Sequence, residues 1–372
     1  MKGRITIAGA VAQKAGSAGH TWQFLQYLLG FKRLGYEVLL VDRFDGASAD
    51  ASRAIGYVRA VMAEHGLEDC WSVDLGEGLH AGLSRDQVLA HLRSSELLLN
   101  VMGFATDEEL LGAAPHRVFL DTDPGFAQMW HELGWADLLS TSDTHVTIGE
   151  RIGADDCSIP TCGLEWVTTC QPVVLEHWRW QLAPPRRPFT SVATWRGAYD
   201  AIELQGTRYG LRAHEFRRLA ELPRRVCSGF ELALSIDPAD ASDVAMLENT
   251  GWELIAPSTV AHTSAAYRRF VMESTAEFMV AKGIYVKTRG GWFSERSACY
   301  LACGRPVLAQ DTGLADLYPL GEGLIAFSTL DEAVAGVQEI AADYSRHSRA
   351  AHDLAEARFD SDKVLGRLLE VV

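Results

Sequence analysis

Paired cysteines are missing from this sequence. The seven present, Cys70, Cys157, Cys162, Cys170, Cys227, Cys299 and Cys303, form an odd number in a chain of 372 residues and include no C-x-x-C. The pattern predicts reduced thiols rather than a disulfide framework, and no histidine or cysteine pair stands at zinc spacing near Cys157, Cys162 and Cys170. The N-terminus also lacks a membrane-length apolar run. Ile5 to Val11 is too short to span a bilayer and has no secretory flanks, so a cytoplasmic protein without membrane insertion is expected. Long low-complexity tracts and solenoid-period repeats are absent. Positive charge is in deficit, with a formal net charge of −15, which argues against a nucleic-acid partner but leaves room for an anionic ligand on a local basic patch. What is present, 48% hydrophobic and 22% charged residues, is the composition of a soluble globular protein with length for two domains.

The first half alternates apolar runs with amphipathic stretches: ITIAGAV, TWQFLQYLLGFKRLG, EVLLVDRF, a helical segment near 51–65, ELLLNVMG and RVFLDTD. This alternation predicts an α/β fold with a doubly wound parallel sheet. In the first helix Trp22, Leu25, Leu28 and Leu29 recur at helical spacing, a face for burial that stops at Gly35. His20 precedes that helix on the loop after strand one, and Asp121 and Asp123 close the strand RVFLDTD; both places are ligand edges of such a sheet. Asp121-Thr122-Asp123 also has the D-x-D spacing that holds Mg²⁺ or Mn²⁺ on a nucleotide diphosphate in one-domain GT-A enzymes. Periodicity fades between 134 and 177, where Trp166 and the following Trp178 and Trp180 fit either an apolar acceptor surface or ordinary packing.

The segment Gln181 to Phe189, with three prolines and two arginines, is expected to be the linker, placed at 182–188 between domains 1–181 and 189–355. In the second domain FTSVATWRG predicts a strand leading to Arg196, which fits a phosphate contact or a plain surface residue. WELIAP reads as a strand ending in a proline. A helix is expected over 264–282 and a strand at GIYVKT. The chain then reaches GGWFSERSACYLACGRPVLAQDTG, which reads as a phosphate cradle. Gly290 and Gly291 leave the backbone bare, Ser294 is placed to cap the next helix, and that helix N-terminus carries roughly +0.5 of a charge. Lys287, Arg289 and Arg296 add whole charges, Trp292 and Phe293 follow the glycines, and Gln310 and Asp311 end the strand expected at 306–309. The last stretch, 356–372, reads as a terminal helix.

With Gly-Gly-Trp before a helix, Gly-Arg-Pro-Val a turn later and Gln-Asp beyond, the stretch resembles the donor-sugar signature of GT-B glycosyltransferases, whose plant-type members carry HCGWNS, a glutamate, A-G-x-P and D/E-Q. The resemblance implies two Rossmann-like domains facing across a cleft, with the last helix crossing back onto the first domain. It implies an enzyme of natural-product or bacterial cell-surface type, moving a sugar from a UDP or dTDP sugar to an acceptor nucleophile. A histidine in a glycine-histidine context on the first loop, here Gly19-His20, is the family's general base, oriented by an aspartate about a hundred residues later, here Asp121. In the family the strand and loop that correspond to WELIAP hold the nucleotide base, which makes Trp252 and Pro257 its candidates here. No metal and no cofactor beyond the donor is expected. A nucleotide-sugar epimerase on the same fold and a non-catalytic binding protein are the alternatives.

Overall fold

The computed structural model describes residues 2–180, 185–197 and 199–372. Two sheets carry the chain. The first is built from β1 (Arg4–Gly9), β2 (Glu37–Arg43), β3 (Trp71–Asp74), β4 (His80–Gly82), β5 (Leu97–Val101), β6 (Arg117–Asp121), β7 (Thr144–Thr147) and β8 (Trp166–Thr168). The second takes β9 (Arg187–Thr194), β12 (Phe230–Ser235), β13 (Glu253–Ile255), β14 (Ser274–Met279), β15 (Val307–Gln310) and β16 (Leu324–Phe327), while β10 (Ile202–Leu204) and β11 (Thr207–Tyr209) form a separate antiparallel hairpin.

The spatial orders are β4-β3-β2-β1-β5-β6-β7-β8 and β13-β12-β9-β14-β15-β16. Every neighbouring pair is parallel except β3 with β4. Parallel strands are covered by helices on both faces, which is why β5 and β15 are buried throughout. The strand order reverses beside β1 in one sheet and beside β9 in the other, and crevices at the carboxyl ends of such switch points are where open α/β sheets bind ligands.

Helix Ala18–Arg33 packs the two halves together. Its Trp22 donates Nε1–H to the Ser264 carbonyl at 3.0 Å, and Gln26 accepts from Val174 N while donating toward Glu295. At Gly30 a Cβ would stand 2.4 Å from Leu365, so only glycine lets the last helix, Ser361–Val371, lie this close. Arg33 joins the same helix through Asp362 at 3.1 Å. Elsewhere the second sheet has its own core of packed rings, Phe230, Trp252, Phe278 and Phe327.

Several sequence expectations shift here. The helix expected over 264–282 stops at Glu273, and Ser274–Met279 is the central strand β14. Burial on both faces hides its alternation, and Glu277 within it is a buried acid paired with Arg296, so its charge reads misleadingly as an exposed face. GIYVKT is a short helix, Gly283–Thr288, despite its β-branched and aromatic residues. Its Gly283, Ile284, Tyr285 and Thr288 are buried, and packing overrides propensity. Residues 182–184 of the expected linker lie outside the described residues, and Arg187 and Pro188 already belong to β9. Proline is tolerated there because pairing with β12 begins only at Phe189.

Candidate functional site

The loop after β6 and the turn after β14 meet across the two domains. Lys282 Nζ lies 2.8 Å from Asp123 Oδ1, and the Tyr285 hydroxyl donates to the same oxygen. Three rings surround the ammonium, those of Phe126 at 4.7 Å, Tyr285 at 5.2 Å and Tyr199 at 5.7 Å. The Lys282 side chain is 11% exposed. Burial pushes its pKa down, Asp123 pulls it up, and Arg212 and Lys14 push it down again. Arg212 lies buried nearby, donating to the carbonyls of Val280 at 3.1 Å and Thr194 at 2.9 Å. Burial, then Arg296, lowers it to about 10, so it stays protonated at neutral pH. The crevice thus holds two buried cations against one carboxylate, and removing one member of such a pair typically costs about 3–5 kcal/mol.

Asp121 presents Asp123. It is 0% exposed, its Oδ2 accepts from Gln128 Nε2 at 2.6 Å and Thr147 Oγ1 at 2.9 Å, and its Oδ1 accepts from the Asp123 N–H at 3.0 Å. Burial raises its pKa to about 6 in spite of these bonds. The expected pairing of Asp121 with His20 is not formed: Asp121 is held by Gln128, Thr147 and the Asp123 N–H. His20 Nε2 lies 3.1 Å from the Ala10 carbonyl instead. Since a carbonyl only accepts, Nε2 carries the proton and Nδ1 the free lone pair. Burial, and then Lys14, pushes the imidazole down to about 3. Lys14 thus acts electrostatically on both His20 and Lys282.

The glycine-rich cradle is a different environment from the one expected. A Cβ on Gly290 would stand 2.4 Å from Ile159, and one on Gly291 would meet Leu317 and Arg151. The first domain fills that space: Arg151 N–H donates to Gly290 O at 3.1 Å and Ser158 N–H to Thr288 O at 3.0 Å. Ser294 occupies the cap position without a side-chain capping bond. Trp292 stacks on Tyr285 at 4.1 Å, and Phe293 stacks on Phe359.

The cations disperse. Arg289 pairs with Asp156 at 3.0 Å and Asp311 at 3.3 Å, while Lys287 donates to the Arg208 carbonyl. Arg296 turns inward to Glu277 and the Val192 carbonyl. Asp311 caps the turn at Gly313 and Leu314, whereas Gln310 accepts from Ala281 N at 3.1 Å and so holds the turn that carries Lys282. Arg196, with 60% of its side chain exposed, is bound by Asp240 at the surface. Trp252 belongs to the aromatic core and donates to Ala220 O, so it is not exposed to hold a base; Pro257 begins the short helix Pro257–Val260.

Sequence reasoning passed over Lys282, Tyr285, Arg212 and Tyr199. The signal was a lone lysine before glycine in FMVAKGIYV, at the end of a strand misread as helix. It also passed over Glu295, the first residue of the helix after the glycines. This carboxylate is buried, accepts from Cys299 Sγ and Gln26 Nε2, and is raised to about 7 by burial. Among the described residues no group of three His, Cys, Asp or Glu is placed to hold a metal ion, the cysteines are free thiols, and no helix is long and apolar enough to cross a membrane.

No protein-family model and no curated protein matches the sequence. Solved structures do. An alpha-glucosyltransferase in complex with UDP and a 13-mer DNA superposes with a TM-score of 0.63 at 11% identity, covering 100% of this chain and 99% of that one. Anabaena Alr3699/HepE in complex with UDP and glucose gives 0.60 at 11% identity over 100% of both chains. TarM gives 0.61 at 8% identity, covering 100% of this chain and 98% of its own. The chain has the GT-B fold along its full length, with two parallel Rossmann-like sheets.

Proposed function

We propose that this GT-B chain is a glycosyltransferase moving a sugar from a nucleoside diphosphate sugar to an acceptor hydroxyl. The carrying observation is the buried Lys282, held by a carboxylate from the opposite domain where the two sheets present their carboxyl ends. UDP in the solved structures of the same fold makes a UDP sugar the first donor to try. An incoming diphosphate replaces Asp123 as the counter-ion of Lys282, with Arg212 behind it, and the low dielectric strengthens the exchange.

In the transfer the bond from sugar C1 to the β-phosphate oxygen breaks, the acceptor oxygen bonds to C1, its proton passes to a base, and the nucleoside diphosphate leaves with the electron pair. His20 is the base, with Nδ1 free and its tautomer fixed by Ala10. The resting imidazole, at about 3, is a poor base. Diphosphate charge beside Lys14 and Lys282 stabilises the imidazolium and moves that value toward neutrality, where general bases work best. Asp121 positions Asp123 rather than His20, and the two cations do the work for which other enzymes recruit a divalent ion. UDP at a hundred times its dissociation constant should add about 2.7 kcal/mol of stability, and turnover should survive EDTA. A protein that UDP, dTDP and GDP all fail to stabilise, or whose turnover EDTA abolishes and Mn²⁺ restores, contradicts this reading.

A further inference from the structure

We propose that Asp42 is a positioning residue for the reacting histidine: its carboxylate holds the loop whose Ala10 carbonyl fixes the His20 imidazole, an assignment that rests on the reading of His20 as the base. Asp42 stands near the end of β2, in register with Gly9, the last residue of β1. Beyond Gly9 the chain leaves the sheet, so the N–H groups of Val11 and Ala12 lie past the ladder. Asp42 Oδ2 accepts from Ala12 N at 2.6 Å and Oδ1 from Arg43 N at 2.7 Å, with the Val11 N–H a weaker donor. Gln13 adds a second tie, its Nε2 donating to the Arg43 carbonyl at 3.1 Å.

Ala10 directly precedes these tied residues, and its carbonyl accepts from His20 Nε2 at 3.1 Å. The imidazole also meets Phe24 edge-on at 5.1 Å. Phe24 comes close to the sheet because Gly9 has no side chain, since a Cβ there would stand 2.8 Å from the phenyl ring. The imidazole is thus held by one packing contact and one carbonyl, and that carbonyl belongs to a segment past the ladder. Asp42 supplies its anchor.

The carboxylate is costly where it stands. Asp42 is 7% exposed, and among the described residues no cation acts on it: burial raises its pKa to about 7, while the N–H groups of Ala12, Arg43 and Val11 lower it. What the charge gains is two oxygens for separate backbone donors, in bonds stronger than neutral ones. Asparagine has the same shape but one acceptor oxygen, so its amide N–H₂ would oppose one of those donors and release the loop.

The test reads how fast imidazole N–H groups exchange with water in ¹⁵N-histidine-labelled parent and Asp42→Asn proteins. His145 is the internal standard, because its Nε2 also bonds a carbonyl, Leu139 O at 2.9 Å, on β7, three strands away from β1. Each resonance is assigned by its loss in His20→Ala or His145→Gln. The expected result is exchange at least tenfold faster at His20 with His145 unchanged. No change at His20 overturns the assignment, and so does equal acceleration at both, which would show Asp42 holding the whole domain. Turnover is then followed as UDP released from UDP-glucose with water as acceptor. Asp42→Asn should lower kcat by roughly 10- to 100-fold with UDP affinity within about threefold of the parent, and the double variant with His20→Ala should match His20→Ala alone. Losses that multiply overturn the proposal. A His20→Ala protein as active as the parent strikes the reading of His20 as the base instead, and the exchange measurement, which needs no donor, still decides what Asp42 holds.

Discussion

Two cationic regions lie side by side in the second domain, and they hold their charge in opposite ways. Lys282 is enclosed by three rings and balanced by one carboxylate from the other domain, while Arg289, only seven positions later, is 42% exposed and shared between Asp156 and Asp311. A charge removed from water interacts strongly with whatever anion replaces its partner, whereas an exposed pair is screened and contributes little on exchange. On the proposed reading the crevice around Lys282 is the place for a diphosphate, while the glycine-rich segment beside it packs against Arg151, Ser158 and Ile159 of the first domain.

The largest effect is expected in catalysis, on the side of the Lys282 crevice. His20→Ala should lower turnover by ~10²–10⁴ while leaving UDP affinity nearly intact, because a general base acts only in the transition state. A variant working within a few-fold of the parent places the base elsewhere.

A second contrast concerns Glu295, which seals the helix start where a phosphate was expected. Its folded pKa, about 7, stands above the ordinary glutamate value of 4.5. The folded state thus binds the proton more tightly, so Glu295 costs nothing below about pH 4.5, an increasing amount as pH rises toward 7, and its full penalty above. Glu295→Gln keeps the oxygen that accepts from Gln26 and Cys299. It should stabilise the protein by on the order of 2 kcal/mol at pH 8 and by nothing at pH 4, as read from urea midpoints at both values. Equal gains at both would show that burial of the charge is not the cause.

The third and smallest effect tests the packing of the glycine-rich segment. Gly290→Ala drives a methyl group into Ile159 and should cost about 1–3 kcal/mol of stability through overpacking. UDP affinity of the folded fraction should be unchanged. A Gly290→Ala protein of parental stability that binds UDP poorly would restore the phosphate cradle.

Much of the fold was legible because β1, β2, β5, β6, β9 and β12 are short apolar runs between helical stretches, and parallel strands buried on both faces leave that trace. The site was harder to read. The charges of Lys287, Arg289 and Arg296 stand together in sequence beside two glycines, but sequence does not tell which acid each one meets in space. Asp156 approaches Arg289 from the first domain, and Glu277 meets Arg296 from a strand that its own charge concealed. Lys282 was passed over for the same reason, since misreading β14 as helix removed the strand end on which it stands. His20 and Asp121 were placed on ligand edges, yet the bond between them depends on which carbonyl and amide lie nearest, and those are Ala10 and Gln128.

The most direct measurement is calorimetric titration of UDP into the parent, Lys282→Met and Arg289→Ala proteins under one buffer and salt. Loss of a charge-assisted contact is worth roughly 1.5–3 kcal/mol, so Lys282→Met should weaken binding by about 10- to 150-fold, while Arg289→Ala stays within about threefold of the parent. The reverse order, with Arg289→Ala crippled and Lys282→Met unaffected, would contradict the assignment of the diphosphate to the Asp123–Lys282 crevice.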